Sequence, residues 1–418
     1  MNVCHVWDAE YPWDVRVEKV SRVLTEAGHQ VHIVARNRDR RPVRERLSEG
    51  TVHRLAPLAI GRTLNAASMF PAFFNPRWFH LIATTARNAG AHVILCRDLP
   101  LAPTSIWAGR HAGIPVVLDL AENYAAMIQE LWETGRHRPL DWLIRNPRAV
   151  SLVERWVVPR VAHTLVVVDE SRDRLVASGI RPERITVVSN TPPRSRVRDG
   201  APSPSPASTG PLRLIYLGQM EVARGIGVLL DGVVEVRRRH AAVHLILVGG
   251  GRDLGLFRTQ AARLGLGSDA VTFAGHVPHA EALRLVGTAD VGVVPHHADD
   301  SWNTTIPNKL FDYMAAGLPV LTSDAKPCAR IVFDTGAGEV FRDRDPLSLA
   351  GAIARMMDAA RRSALGAAGR RAIADRYNWE HDSRRLLNAL RAVVDTAATQ
   401  RVQHLAQPLS DPVTQIRD

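Results

Sequence analysis

The chain has 418 residues, enough for two domains that each bury a full hydrophobic core. It carries 53 Lys+Arg against 42 Asp+Glu, a formal net charge of +11, which favours anionic partners. No zinc finger, aromatic-rich strand pair or helix-turn-helix accompanies that charge, so nucleic acid is not an expected partner.

In chain order, short β-branched runs alternate with helical patterns, the rhythm of parallel βαβ sheets. The first half predicts strands at 3–6, 31–34, 93–95, 116–118, 165–168 and 185–188. Between the first two, Val17, Val20, Leu24 and Ala27 recur at helical spacing and Gly28 closes the helix. Residues 194–211 contain Ala-Pro-Ser-Pro-Ser-Pro-Ala-Ser-Thr-Gly-Pro, the composition of a linker. The second half predicts strands at 212–217, 245–248, 271–273, 291–294 and 320–322. The expected organisation is α/β: a first Rossmann-like domain at 1–193, a linker at 194–211 and a second Rossmann-like domain at 212–376. A last helix at 377–398 and a polar tail at 399–418 follow.

Two such sheets face each other across a cleft, and ligands bind beyond the carboxyl ends of the strands. Polar residues at those ends are therefore candidates. Asp14 and Arg16 lie on the loop after the first strand, where Asp14 is equally a helix N-cap. Asp98 and Glu122 end two further strands. In the second half, Gly218 and Gln219 follow its first strand, and Arg224 stands near the next helix start, able to fork onto diphosphate oxygens. Gly249 and Gly250 follow the next strand, where backbone can pass close to a ligand.

Residues 303–320 read Asn-Thr-Thr-Ile-Pro-Asn-Lys-Leu-Phe-Asp-Tyr-Met-Ala-Ala-Gly-Leu-Pro-Val. Pro307 suits a first helical turn, Gly317 the position past the helix end, and Pro319 prevents continuation. At 100° per residue, Leu310, Phe311, Met314 and Ala315 share one face. Lys309, Asp312, Tyr313 and Ala316 share the other. That face offers a cation and a carboxylate one turn apart, next to a helix N-terminus that favours phosphate. The alternative is an ordinary amphipathic helix with a solvated polar face.

This segment resembles the donor-site signature of the retaining glycosyltransferases of family 4, which have the GT-B architecture. It is most similar to a branch with a Pro-Asn-Lys-Leu-Phe-acid-Tyr-Met-Ala-Ala-Gly core. The resemblance implies two facing Rossmann-like domains and a C-terminal helix crossing back to the first, its start resembling Tyr377-Asn378-Trp379-Glu380. It implies transfer of a sugar from a nucleotide diphosphate sugar, UDP-linked by preference, to a lipid-linked sugar, polysaccharide or glycoconjugate. Arg224 and Lys309 would hold the departing diphosphate, with Glu122 and Asp98 as the other catalytic candidates. The donor would meet Gly218, Gln219, Arg224, Gly249, Gly250, Asn303, Thr304, Thr305, Ile306, Pro307, Asn308 and Lys309. Asp312 would grip the ribose, and the backbone around His276 would meet the base. Asp14, Arg16, Asp98 and Glu122 would face the acceptor.

The chain departs from the family pattern at three places. Gln219 stands where an arginine is usual, Thr304 where the first of two glutamates is usual, and Ala121 where a histidine is usual. These departures leave open a non-catalytic sugar-nucleotide-binding protein of the same fold. A small natural product as acceptor and a sugar-nucleotide epimerase also remain open.

No cofactor or metal is expected. Asp343-Arg344-Asp345 spells a metal-transferase motif, but it precedes Pro346 and reads as helix capping. Cys4, Cys96 and Cys328 fit neither a disulfide framework nor a zinc site, which suits a reducing cytoplasm. The start at 3–7 is too short for a signal peptide, and no apolar run reaches the ~18 residues of a membrane span. Six arginines within 36–46, and Phe70, Phe73, Phe74, Trp78 and Phe79, leave peripheral contact with an anionic membrane open.

Overall fold

The computed structural model describes residues 1–12, 14–58, 64, 68, 72–133, 146–197, 210–239 and 242–406. The β-branched runs of the first half form β1 (Asn2–Val6), β2 (Gln30–Ala35), β3 (Arg44–Leu47), β4 (Gly50–Arg54), β5 (Val93–Arg97), β6 (Val116–Leu120), β7 (His163–Val166) and β8 (Ile185–Val187). They make one sheet in the order β3-β4-β2-β1-β5-β6-β7-β8. All pairings are parallel except β3 with β4. Its helices are α1 (Val15–Glu26), α2 (Pro76–Asn88), α3 (Ala102–Ala112), α4 (Tyr124–Glu133), α5 (Pro147–Val157) and α6 (Asp169–Ala177).

The second half gives β9 (Leu212–Leu217), α7 (Ile226–Arg238), β10 (Val243–Val248), α8 (Leu254–Arg263), β11 (Val271–Gly275), α9 (His279–Val286) and β12 (Val291–Val294). Next come α10 (Asn308–Ala316), β13 (Val320–Ser323), α11 (Lys326–Thr335), β14 (Gly338–Phe341), α12 (Pro346–Arg355), α13 (Ala359–Asp375) and α14 (Trp379–Ala406). Its parallel sheet runs β11-β10-β9-β12-β13-β14. The strand order reverses between β9 and β12, and that reversal opens a crevice at their carboxyl ends.

Buried aliphatic residues cover both faces of each sheet. Leu386 and Leu390 of α14 join Val3, Val17, Leu24 and Ile33 in one cluster, so the last helix returns to the first domain. Ala121, Val167 and Val168 of the first domain share another cluster with Ile306, Leu310 and Phe311 of the second.

Every predicted strand forms, and three more appear. The β3–β4 hairpin has no apolar alternation in Arg-Glu-Arg-Leu, because β3 is an edge strand: Arg44 and Arg46 face solvent, and Glu45 pairs with the buried Arg54. Strand β14 is a further short one. The last helix also continues through the stretch expected to be tail, as far as Ala406; residues 407–418 lie outside the described residues. Most of the linker, 198–209, lies outside them too.

The arginine-rich stretch divides. Arg36 is buried against Asp8, while Arg38, Arg40, Arg41, Arg44 and Arg46 are exposed. Among the aromatics, Trp78 is core, Phe79 stacks on Trp107, and Phe74 is exposed. Phe70 lies outside the described residues. No helix among the described residues is long and apolar enough to cross a membrane.

Candidate functional site

The crevice between β9 and β12 is built from turns that only small residues permit. After β9 the chain passes Gly218 at φ 139°, and after β10 it passes Gly249 at φ 134°. A Cβ on Gly249 would lie 1.9 Å from the Gly218 carbonyl oxygen, and one on Gly251 would lie 2.5 Å from that of Met220. A side chain on Gly250 would meet nothing. Gly249 and Gly251 therefore allow the two loops to pack, and Gly250 does not. Gly251 was not among the sequence candidates, although it ends the same glycine run.

Helix α10 supplies the cation. Pro307 is its N-cap residue, one place earlier than a first-turn proline, and no side chain caps its amides. Gly317 closes it in the left-handed conformation at φ 76°. Lys309 is buried; its Nζ lies 4.0 Å from the Tyr216 ring centroid and 3.5 Å from His296 Nε2. A Cβ on Gly218 would come within 2.9 Å of that Nζ, so the glycine makes room for the ammonium. Burial first, then repulsion from Arg224, holds the Lys309 ammonium well below the usual lysine value. Among the described residues Lys309 has no carboxylate partner in an ion pair.

Arg224 ends a short 3₁₀ turn (Val222–Arg224) that Gly225 closes at φ 69°. Its guanidinium carbon lies 4.8 Å from the Trp302 ring centroid, and one nitrogen reaches Gln219 Oε1 at 3.5 Å. Trp302 in turn meets the His296 ring edge-on at 4.1 Å. Burial pushes His296 far below the ordinary imidazole value, and Lys309 and Arg224 push it further. His296, Tyr216 and Trp302 escaped the sequence reading. The available signal for His296 was its place just past β12, at the strand reversal.

Asp312 follows Lys309 by one turn, largely buried, with Oδ1 3.0 Å from an Arg196 nitrogen. Tyr313 does not join the polar face as its spacing suggests. It is fully buried under Gly292, and its hydroxyl accepts the Leu217 N–H at 2.8 Å. Asn308 is exposed, Ile306 is buried, and His276 sits exposed on the loop after β11.

Asn303, Thr304 and Thr305 act as framework in this structure. Asn303 ties the loop to Ala298 and to the start of α11. Thr304 receives the Asn123 amide at 3.0 Å, and Thr305 Oγ1 donates to the Ala121 carbonyl at 3.1 Å. Both bonds cross between the domains.

Facing this across the cleft is a buried charge network. Arg16 does not extend toward an acceptor: its Nε and Nη2 grip Asp119 at 2.6–3.1 Å beneath the loop. Asp14 caps α1, accepting from the Arg16 and Val17 amides. Asp98, at φ 63°, pairs with Arg97 and accepts the Ala121 N–H at 3.2 Å. Burial pushes it up to about 7 against the pull of Arg97. Glu122 is half-buried beside Thr305; burial raises it, while Arg97 and Arg224 oppose the rise. Of the first-domain candidates, Glu122 is thus the one brought near Arg224.

The supposed metal motif resolves into structural contacts. Asp345 caps α12 through the Ser348 amide, and Asp343 binds His297 Nδ1 at 2.7 Å.

Residues 14–191 match the model of the glycosyl transferase 4-like domain, and residues 211–359 that of the glycosyl transferases group 1. A glycogen synthase of Mycobacterium tuberculosis is 28% identical over 254 residues, which are 59% of this chain and 58% of that protein. A D-inositol 3-phosphate glycosyltransferase of Acidothermus cellulolyticus is 25% identical over 429 residues, covering 93% of this chain and 88% of the relative. In fold, the chain is similar to Anabaena HepE, solved in complex with UDP. That likeness has a TM-score of 0.68 at 15% identity, covering 94% of this chain and 100% of the other. With two glycosyltransferase domain models in tandem on two facing parallel sheets, the chain belongs to the GT4-type glycosyltransferases of GT-B architecture.

Proposed function

We propose that the protein is a retaining glycosyltransferase that moves a sugar from a UDP-sugar to a lipid-linked sugar or a growing polysaccharide. One observation carries this reading. A buried ammonium, Lys309, has no acid partner among the described residues and lies close to the Arg224 guanidinium. A buried cation without a counter-ion costs free energy unless an anion completes the site. The uncapped N-terminus of α10 adds free amides, a preferred seat for phosphate.

In this reading Arg224, Lys309 and the amides near Asn308 stabilise the departing diphosphate as negative charge builds on it. Asp312 accepts hydrogen bonds from the ribose. Ala121 leaves no histidine base at its place, so the diphosphate itself takes the acceptor proton. Glu122, beside Thr305 and within the field of Arg224, contacts the acceptor in this reading. The UDP of the Anabaena structural neighbour favours uridine as the base.

The test is transfer from a panel of UDP-sugars, with GDP-sugars as comparison. Arg224→Ala is expected to remove about 2–4 kcal/mol of transition-state stabilisation, and Lys309→Ala a similar amount. Unchanged kcat/KM in both variants contradicts the assignment.

A further inference from the structure

We infer that Arg196, on the hinge between the domains, is a positioning residue that presents Asp312 to the ribose of the nucleotide. The inference rests on the donor-site reading above and extends it to a residue outside the donor motif.

Arg196 closes a 3₁₀ turn (Arg194–Arg196) that is anchored on every side. Thr191 donates to Asp382 at 2.6 Å, and the Trp379 amide donates to the Pro192 carbonyl at 2.9 Å. The Arg194 amide donates to the Glu380 carboxylate at 3.0 Å. Lys19 donates to Asn190 and to the Thr191 carbonyl, standing 4.2 Å over the Trp379 ring. Val197 packs on the cluster that holds Leu310, Phe311 and Met314. The turn is thus fixed to α14, and Arg196 reaches from it to Asp312 Oδ1 at 3.0 Å.

That pair is partly exposed, 38% and 17% by side chain, so it contributes little stability of its own. What it does is fix the direction of a carboxylate. An aspartate that must accept from a ribose hydroxyl gains from being held in one rotamer before the ligand arrives.

Titration calorimetry with UDP and 2′-deoxy-UDP tests this. Arg196→Ala is expected to weaken UDP about 5- to 10-fold, the scale of one ordinary net hydrogen bond, and to leave 2′-deoxy-UDP nearly unchanged. The preference for the ribonucleotide then collapses. Asp312→Asn gives the same pattern, the double variant adds nothing further, and Arg196→Lys restores part of the preference. Equal weakening of both nucleotides, unchanged binding, or tighter UDP binding overturns the inference. Lys309→Ala separates the two levels. If it weakens both nucleotides while Arg196→Ala weakens neither, only the role of Arg196 falls. If Lys309→Ala leaves both unaffected, the donor-site reading falls and this inference with it.

Discussion

Lys309 shows what one residue can and cannot disclose in sequence. Its spacing from Asp312 is written in the chain, and so is its place at a helix start. Its burial against Tyr216 and His296 is not, because those rings arrive from the ends of β9 and β12. The burial has a consequence for pH. A lysine whose value is lowered keeps its proton below that value and sheds it as pH rises through it. An arriving diphosphate favours the charged amine and raises the value again. UDP binding at a pH between the lowered value of the free protein and the raised value of the complex is therefore expected to take up a proton. The measurement is calorimetry in buffers of different ionisation enthalpy, where the slope gives the uptake. Lys309→Met should abolish the slope, and an unchanged slope contradicts this account.

Turns carry the argument at the scale of elements. Gly225 begins α7 at φ 69°, and a Cβ there would lie 1.6 Å from the Pro295 carbonyl oxygen. Gly225→Ala is expected to cost at least about 1–3 kcal/mol in urea unfolding, since it adds backbone strain to a clash. Gly250→Ala, with open space around its Cβ, should stay within about 0.5 kcal/mol. Equal effects would contradict the packing described. The sequence shows the glycines but not which of them backbone presses against; that depends on Pro295 and Gly218 arriving from other turns. Strand periodicity revealed the central strands because both faces of them are apolar. It missed the β3–β4 hairpin, whose charged residues serve an edge, and β14, where Gly338 and Glu339 leave only two apolar residues in the run.

For the whole molecule, the succession of strands and the linker composition make the two-sheet architecture legible in the chain itself. The contacts between the domains were not. Asn123 to Thr304, Thr305 to Ala121 and Arg330 to Glu170 join residues 160 or more positions apart. Arg16 likewise reads as a cleft cation in sequence, and only the fold shows Asp119 beneath it. The central claim is that a nucleotide diphosphate sits where Gly218, Arg224, Lys309 and the start of α10 converge. A crystal structure of the protein with UDP tests it most directly. The account predicts diphosphate density within hydrogen-bond distance of Arg224 and Lys309, with the ribose against Asp312. An empty crevice under saturating UDP, or UDP bound away from these residues, contradicts it.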